Sequence, residues 1–265
     1  MNKSNLTSFD KYEYYQKAVQ SPEDDASFVE KAYWDARGKE ARVMREDFCA
    51  AFALTCSWVE KHPDNKGIAI DVDPEPIEYG KQNYLSKLDH NQKDRLCILQ
   101  KNVLEPNLPK ADAIAALNFS YMGFKDRSTF KEYLKNCFDT LNDDGILVLD
   151  SFGGASTQEP NVHETEHDDF SYFWDQDTFN PVTNEGQFYI HFKRKGEKKR
   201  ERVFSYDWRL WSLTEVRDLC AEVGFKSSVI YWEGTDDDGD GNGIFTPTEC
   251  GDECESWVAY IVALK

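Results

Sequence analysis

Apolar side chains recur along this chain in two rhythms, and the changes between them mark out its elements. Near the start, around Tyr12 to Val19 and again from Asp25 to Trp34, they return at helical spacing. In the second stretch Phe28, Val29, Ala32 and Tyr33 fall on one face, behind a Ser-Pro-Glu-Asp start signal. From residue 41 onward short continuous apolar runs alternate with amphipathic stretches. ARVM (41–44), GIAIDV (67–72), LCILQKNV (96–103), ADAIAALNFS (111–120) and GILVLDSF (145–152) predict strands. FALTCSWVEKH (52–62), EPIEYGKQNYLSKL (75–88) and STFKEYLKNCFDTL (128–141) predict helices. Strands that are apolar on both faces and separated by helices predict right-handed βαβ crossovers, and hence a parallel sheet covered on both sides.

The end of the chain breaks this alternation. A helix at 213–225 is followed by a strand at 226–234, a loop of Asp, Gly and Thr, and a last strand at 256–264, with no helix between the two strands. That predicts an antiparallel pair. Between the fifth strand and the 213–225 helix lie residues 153–207, rich in Asp, Asn and aromatics, with a hairpin expected in QFYIHFKRKGEKKRERVFSYDW. The expected organisation is an N-terminal helical cover (1–40) on one domain (41–265) that carries a cap insertion (153–207).

Composition narrows the picture. At 265 residues, 40% apolar and 14% aromatic, the chain can bury one sizeable core. The first forty residues hold no continuous apolar run, and nothing later approaches the roughly 20 apolar residues of a membrane span. A soluble, cytoplasmic protein with no membrane partner is therefore expected. Seven cysteines, an odd number without framework spacing, read as reduced and mostly buried thiols. A formal charge of −18 argues against tight nucleic-acid binding, although KRKGEKKRER (193–202) forms one local basic patch that reads first as a solvated hairpin tip.

In a doubly wound sheet, ligands sit at the carboxyl ends of the strands. The second strand ends in Asp71, and a carboxylate there can accept both hydroxyls of a ribose diol. The alternative is a helix cap, for which Asp73 stands closer to the helix start. The third strand ends at Asn102-Val103, an amide and an apolar neighbour that could read and stack on an adenine, or shape a turn before Pro106. The fourth ends at Asn118-Phe119-Ser120-Tyr121, which would face the reacting centre or simply form a turn.

Two further patterns compete for attention. His163-Glu164-Thr165-Glu166-His167 satisfies H-E-x-x-H, but its polar, Pro-preceded context lacks the apolar-faced helix that a zinc site needs, so no metal is expected. Near a substrate mouth the two histidines could still bind a metal in another geometry or serve as bases, and the second role makes them candidates. The run from Asp236 to Asn242 begins like a calcium loop, then puts Pro247 where the bidentate Glu belongs, and reads as a solvated hairpin loop.

Taken together, QSPE (20–23), REDFC (45–49), ALTCSWV (53–59), Asp71 followed by DPEP, NFSY at the fourth strand end, ILVLDSFGG, YDWRLWSLTEVRDLCAEVGF and the terminal strand pair resemble the class I S-adenosylmethionine-dependent methyltransferases. Specifically, they are similar to a bacterial group with a REDFCGT-like first motif, over nearly the whole length. The resemblance implies an α/β, Rossmann-like, doubly wound seven-stranded sheet of order 3-2-1-4-5-7-6 with strand 7 antiparallel. It implies S-adenosyl-L-methionine as cofactor, held by Glu46 at the methionine amine, Arg45 at its carboxylate unless it pairs instead with Glu46 or another local acid, Cys49 and Ala50 in the first motif, Asp71 and Val72 at the ribose, and Asn102, Val103 and Asn118 further along the sheet. One departure stands out. Where the family has E/D-x-G-x-G-x-G, this chain reads Glu46-Asp47-Phe48-Cys49-Ala50-Ala51-Phe52, without a glycine. Phe48, Ala50 and Phe52 are expected to alter the turn or crowd the methionine moiety. The same replacements argue against a dinucleotide, whose diphosphate needs the bare backbone.

The reading is a methyltransferase acting on a small-molecule methyl acceptor by in-line transfer. Tyr121, His163 and His167 are its candidate bases, and aromatics of the cap and of the N-terminal helices enclose the acceptor. Two alternatives stay open: a protein of the same fold that binds the cofactor without catalysis, and an RNA methyltransferase using the hairpin at 193–202. For assembly, a homodimer is the alternative to a monomer.

Overall fold

The computed structural model describes residues 8–236 and 241–265. Helix α1 (Lys11–Val19) starts where the Asp10 carboxylate accepts hydrogen bonds from the Tyr12 and Glu13 amides. Helix α2 (Pro22–Arg37) carries three acidic residues in its first turn and stops at Gly38, whose φ of 64° only glycine adopts freely.

The predicted alternation follows: β1 (Val43–Asp47), α3 (Ala53–Lys61), β2 (Lys66–Asp71), α4 (Pro74–Asn83), a one-turn α5 (His90–Lys93), β3 (Leu96–Gln100), β4 (Ala111–Ala116), α6 (Arg127–Thr140) and β5 (Leu141–Gly153). After β5 come β6 (Asn161–Glu166), β7 (Phe170–Asn180), β8 (Glu185–Arg194) and β9 (Arg200–Arg209), then α7 (Leu213–Val223), β10 (Ser227–Thr235), β11 (Gly241–Thr248) and β12 (Trp257–Leu264).

The main sheet runs β11-β10-β12-β5-β4-β1-β2-β3. β1 to β5 are mutually parallel, and β12 lies antiparallel between β5 and β10. With β12 as the seventh strand and β10 as the sixth, this is the 3-2-1-4-5-7-6 order, Rossmann-like and doubly wound. Its central strands are buried on both faces, as their period-free sequences require.

The sheet has one strand more than the seven expected. β11 pairs antiparallel with the outer edge of β10. Its sequence, GNGIFTPT, is mostly exposed and carries two glycines and a proline, so it reads as a loop. An edge strand with nothing packed on it has no apolar alternation to betray it.

The second difference lies between β5 and α7. Where one hairpin was expected, four antiparallel strands form a separate sheet, β6-β7-β8-β9. The expected hairpin is β8–β9. β6 escaped because all six of its residues are exposed.

The two N-terminal helices do different work. Ala26, Val29, Ala32 and Tyr33 of α2 join the core under one face of the main sheet with Met44, Trp58, Val148 and Val262. α1 instead spans two neighbours. Tyr14 packs edge-on against Phe170 of the second sheet at 4.9 Å, while Lys11 pairs with Glu75 of α4 at 2.6 Å and Tyr12 lies 4.8 Å from the Tyr79 ring. Among the described residues no helix is long and apolar enough to cross a membrane.

Candidate functional site

The carboxyl ends of β1, β2 and β4 meet at a loop running from Phe48 to Phe52. Phe48, Ala50 and Phe52 all hold left-handed backbone angles, with φ of 58°, 44° and 50°. These are the three positions that are glycine in the resembled motif. The expected altered turn is thus corrected: the backbone takes up the conformation glycine would favour, although none of the three is glycine. A left-handed residue with a Cβ costs about 1–2 kcal/mol. Phe52 offsets this by full burial, which for a phenyl ring contributes about 1.5–3 kcal/mol, and the half-buried Phe48 by part of that. Phe48 packs against Phe124 and Tyr133 at 5.7 and 5.6 Å. Phe52 is wholly buried beneath α4, where a Cβ on Gly80 would lie 2.5 Å from its ring.

Asp71 holds this loop from the neighbouring strand. Its Oδ2 accepts the Ala50 amide at 2.8 Å and its Oδ1 the Asp73 amide at 2.9 Å. Each oxygen keeps a lone pair for a further donor. Asp73, not Asp71, caps α4 by accepting from the Glu75 amide. Val72 beside it is exposed, and Cys49 is buried with its amide bonded to the Ile70 carbonyl at 3.0 Å.

The alternation of side chains along β1 separates the two charges that the sequence places side by side. Glu46 faces the α2 side. Its Oε2 accepts the Thr55 amide at 2.9 Å and the Thr55 hydroxyl, and the carboxylate borders a narrow cavity lined also by Gln20, Pro22, Asp25, Phe48, Leu117 and Asn118. Burial pushes its pKa up to about 8. Asp25, whose carboxylate accepts the Tyr260 hydroxyl at 3.1 Å, is pushed up to about 6 by burial as well.

Arg45 points the other way, into the core. It is fully buried, bonded to both Asp47 carboxylate oxygens at 2.8 and 3.0 Å and to the Thr140 hydroxyl at 2.8 Å. A guanidinium so engaged on the far face of the sheet cannot reach a ligand carboxylate. Its expected cofactor role is corrected to a structural one, with Asp47 as the local acid.

At the end of β4, Asn118 and Phe119 are also left-handed, with φ of 56° and 58°. Their amides donate to the two oxygens of Asp150 at 2.6 and 2.8 Å. Asp150, on β5, is buried and pushed up to about 7 by that burial. Sequence reasoning missed it as an individual residue, although ILVLDSFGG contains it. A lone acid inside an apolar strand is the signal that could have found it.

The remaining candidates divide. Asn102 is exposed and its side chain accepts the Leu104 amide, so it shapes the turn after β3, while Val103 is buried in the core. Tyr121 has no exposed surface, its hydroxyl has no hydrogen-bond partner among the described residues, and burial raises its pKa. A phenol sealed in the core cannot take a proton from a substrate, which removes it as a base. His163 and His167 lie on β6 and in the turn after it, not on a helix, so the H-E-x-x-H pattern has no zincin geometry. His163 borders a large cavity, whereas the His167 ring stacks on Phe170 at 4.3 Å. Of the run resembling a calcium loop, Asp237, Asp238, Gly239 and Asp240 lie outside the described residues.

That large cavity, of about 790 Å³, opens between the carboxyl edge of the main sheet and the second sheet. Tyr15 of α1, Trp174 of β7, Tyr206 and Trp208 of β9, and Trp232 and Trp257 of the main sheet help wall it. Asn118 borders both this cavity and the narrow one at Glu46. Enclosure by the cap and the N-terminal helix therefore rests on Tyr15, Tyr172 and Trp174, while Tyr14 and Phe170 form a small core of their own.

The donor set fits a cofactor with a ribose and an amino-acid end: Asp71 with free lone pairs at one point, a buried carboxylate at the other, and Asn118 between that end and the large cavity. The narrow cavity at Glu46, about 20 Å³, has room for about one water. Gln20 and the start of α2, through Pro22 and Asp25, form part of its wall.

No protein-family model matches the sequence, and no curated protein matches it. Solved structures do. A S-adenosylmethionine-dependent methyltransferase from Clostridium acetobutylicum superposes with a TM-score of 0.67 at 14% identity, over 94% of this chain and 96% of that one. An amino pentose methyltransferase of calicheamicin biosynthesis from Micromonospora echinaspora, with SAM bound, gives 0.67 at 12% identity, over 99% of both chains. A sugar N-methyltransferase from a Streptoalloteichus species gives 0.64 at 14% identity, over all of this chain and 96% of that one. At such identities the likeness is one of fold, extending over the second sheet as well as the first.

Proposed function

We propose that this chain is a S-adenosylmethionine-dependent methyltransferase of the group with a REDFCGT-like first motif, acting on a small molecule. One observation carries the reading. The loop between β1 and α3 keeps three left-handed residues at the glycine positions of the resembled motif, with an acid before it (Glu46) and an acid bracing it from the next strand (Asp71). Nothing in chain stability alone calls for left-handed Phe, Ala and Phe in succession, and strain of this kind gathers at functional sites.

In this reading Asp71 accepts the ribose hydroxyls, Glu46 takes the amino group, and Ala50, Cys49 and Val72 line the path between them. Asn118 stands where the narrow and large cavities meet. The cofactor supplies a methyl group already activated on a sulfonium, so the protein's share is alignment, exclusion of water and acceptance of any proton the acceptor must lose. Of the candidate bases, His163 is the one that borders the cavity and keeps the role. The small-molecule acceptor is supported by enclosure between the second sheet and α1, and by the amino pentose and sugar methyltransferases among the structural neighbours. Cover (1–40), main domain (41–265), cap (153–207) and a cytoplasmic location complete the proposal; whether the chain works as a monomer or homodimer follows from its mass in solution.

Calorimetry with S-adenosylmethionine tests the binding. Asp71→Ala should abolish measurable binding while the chain stays folded, and unchanged affinity would mean the site is elsewhere. A protein that binds the cofactor but methylates nothing in a substrate screen would be the non-catalytic alternative.

A further inference from the structure

The large cavity has a chemical bias that the methyltransferase reading does not use. Its wall combines two sets of aromatic faces. Tyr206 and Trp208 stack at 4.4 Å, with Trp174 5.9 Å from Trp208, on the side of the second sheet, and Trp232 lies 5.1 Å from Trp257 on the main sheet. Glu233, Asp252, Glu253 and Glu255 also border the cavity, and among the described residues no lysine or arginine does.

None of these four carboxylates is ion-paired among the described residues; Glu233 only accepts the Gly243 amide at 3.0 Å. The backbone of Glu255 is fixed by the Ser156 amide and hydroxyl, at 3.0 and 2.8 Å, which steadies that segment at the mouth. An anionic ligand would meet only negative charge here. A neutral one would leave the carboxylates unused. A cation gains from both the π-faces and the carboxylates.

We infer that the cavity takes a small molecule bearing a positively charged amine, and that this amine is the methyl acceptor; the second half rests on the methyltransferase reading. The carboxylates and rings hold the ammonium form. It passes one proton to His163, at the cavity wall, before reaction. The nitrogen lone pair then forms the new N–C bond as the S–C bond breaks, its electron pair staying on sulfur, so that sulfonium becomes thioether and the product amine carries the positive charge.

The test uses choline and its uncharged analogue 3,3-dimethyl-1-butanol as probes, read by the fluorescence of the cavity tryptophans in the full chain. Choline should act at a concentration about tenfold lower than the alcohol, the preference a single desolvated cation–π contact provides. In the double variant Glu253→Gln, Glu255→Gln, two exposed positions away from the cofactor residues, that preference should shrink several-fold while S-adenosylmethionine affinity stays unchanged. Equal response to the two probes in the unaltered protein would overturn the inference, as would methylation confined to the oxygen of neutral acceptors. Choline preference without cofactor binding would overturn the methyltransferase reading and leave the cation site standing.

Discussion

Glu46 is the residue whose chemistry can be followed most directly in solution. Its carboxyl group rises from 4.5 to about 8 because it is buried. Between those values the folded chain holds a proton there that the unfolded chain has released, so this group's contribution to stability falls as pH rises through the window. A ligand ammonium beside it favours the ionised form. S-adenosylmethionine binding near pH 7 should therefore release a proton and strengthen as pH rises towards 8. Calorimetry in two buffers of different ionisation enthalpy measures that proton, and Glu46→Gln should abolish it. Proton-neutral binding in the unaltered protein would place the amine elsewhere. Ala50 offers a second test. It is left-handed without a buried ring to offset the cost, so Ala50→Gly should raise stability by about 1 kcal/mol, seen as a higher denaturant midpoint. A lower midpoint would mean the loop is not strained at this position.

Among the elements, α1 has the least conventional position, since it is held by the second sheet through Tyr14 and by α4 through Lys11 and Tyr12. It thereby keeps Gln20 and the start of α2 over Glu46. Truncation ending at Gln20 should leave a cooperative melting transition, because the core under α2 is untouched. It should raise both the association and dissociation rates of S-adenosylmethionine by about tenfold, as removal of a cover does. Stopped-flow fluorescence gives both rates, and unchanged rates would show that α2 opens by itself. The second sheet shows how burial governs legibility. β8 alternates half-buried and buried residues from Glu185 to Ile190 and reads as half of a hairpin; β6 and β11 are edge strands in solvent and do not.

For the whole molecule, the charge of −18 and the acidic cavity rim point away from nucleic acid. Among the seven basic residues in the hairpin at 193–202, Arg194, Lys199 and Arg200 are held locally. Arg194 pairs with Glu197 at 2.9 Å, Arg200 lies 4.6 Å over the Phe9 ring and Lys199 4.4 Å over Phe173. Those charges already have local partners. RNA should not be retained at physiological salt, and tight, salt-sensitive retention lost on neutralising the hairpin would restore the RNA reading.

The sequence by itself determined the strand and helix alternation, the antiparallel ending and the placing of Asp71 at a strand end, whereas Glu46, beyond the apolar run at 41–44, was placed only by the resemblance. The first three follow from local periodicity or from a strand's length, which a linear pattern records in full. What it left open depends on which face or neighbour a residue meets. Arg45 and Glu46 are adjacent in sequence, yet the pleat of β1 sends one into the core against Asp47 and the other to the site. Tyr121 looked available and is sealed. The glycine-free loop reads as altering its turn or crowding the methionine moiety, and only packing from Tyr133, Phe124, α4 and the Asp71 carboxylate supplies the energy that holds Phe48, Ala50 and Phe52 left-handed. Tertiary contacts decided these points because backbone strain is set locally but compensated at a distance.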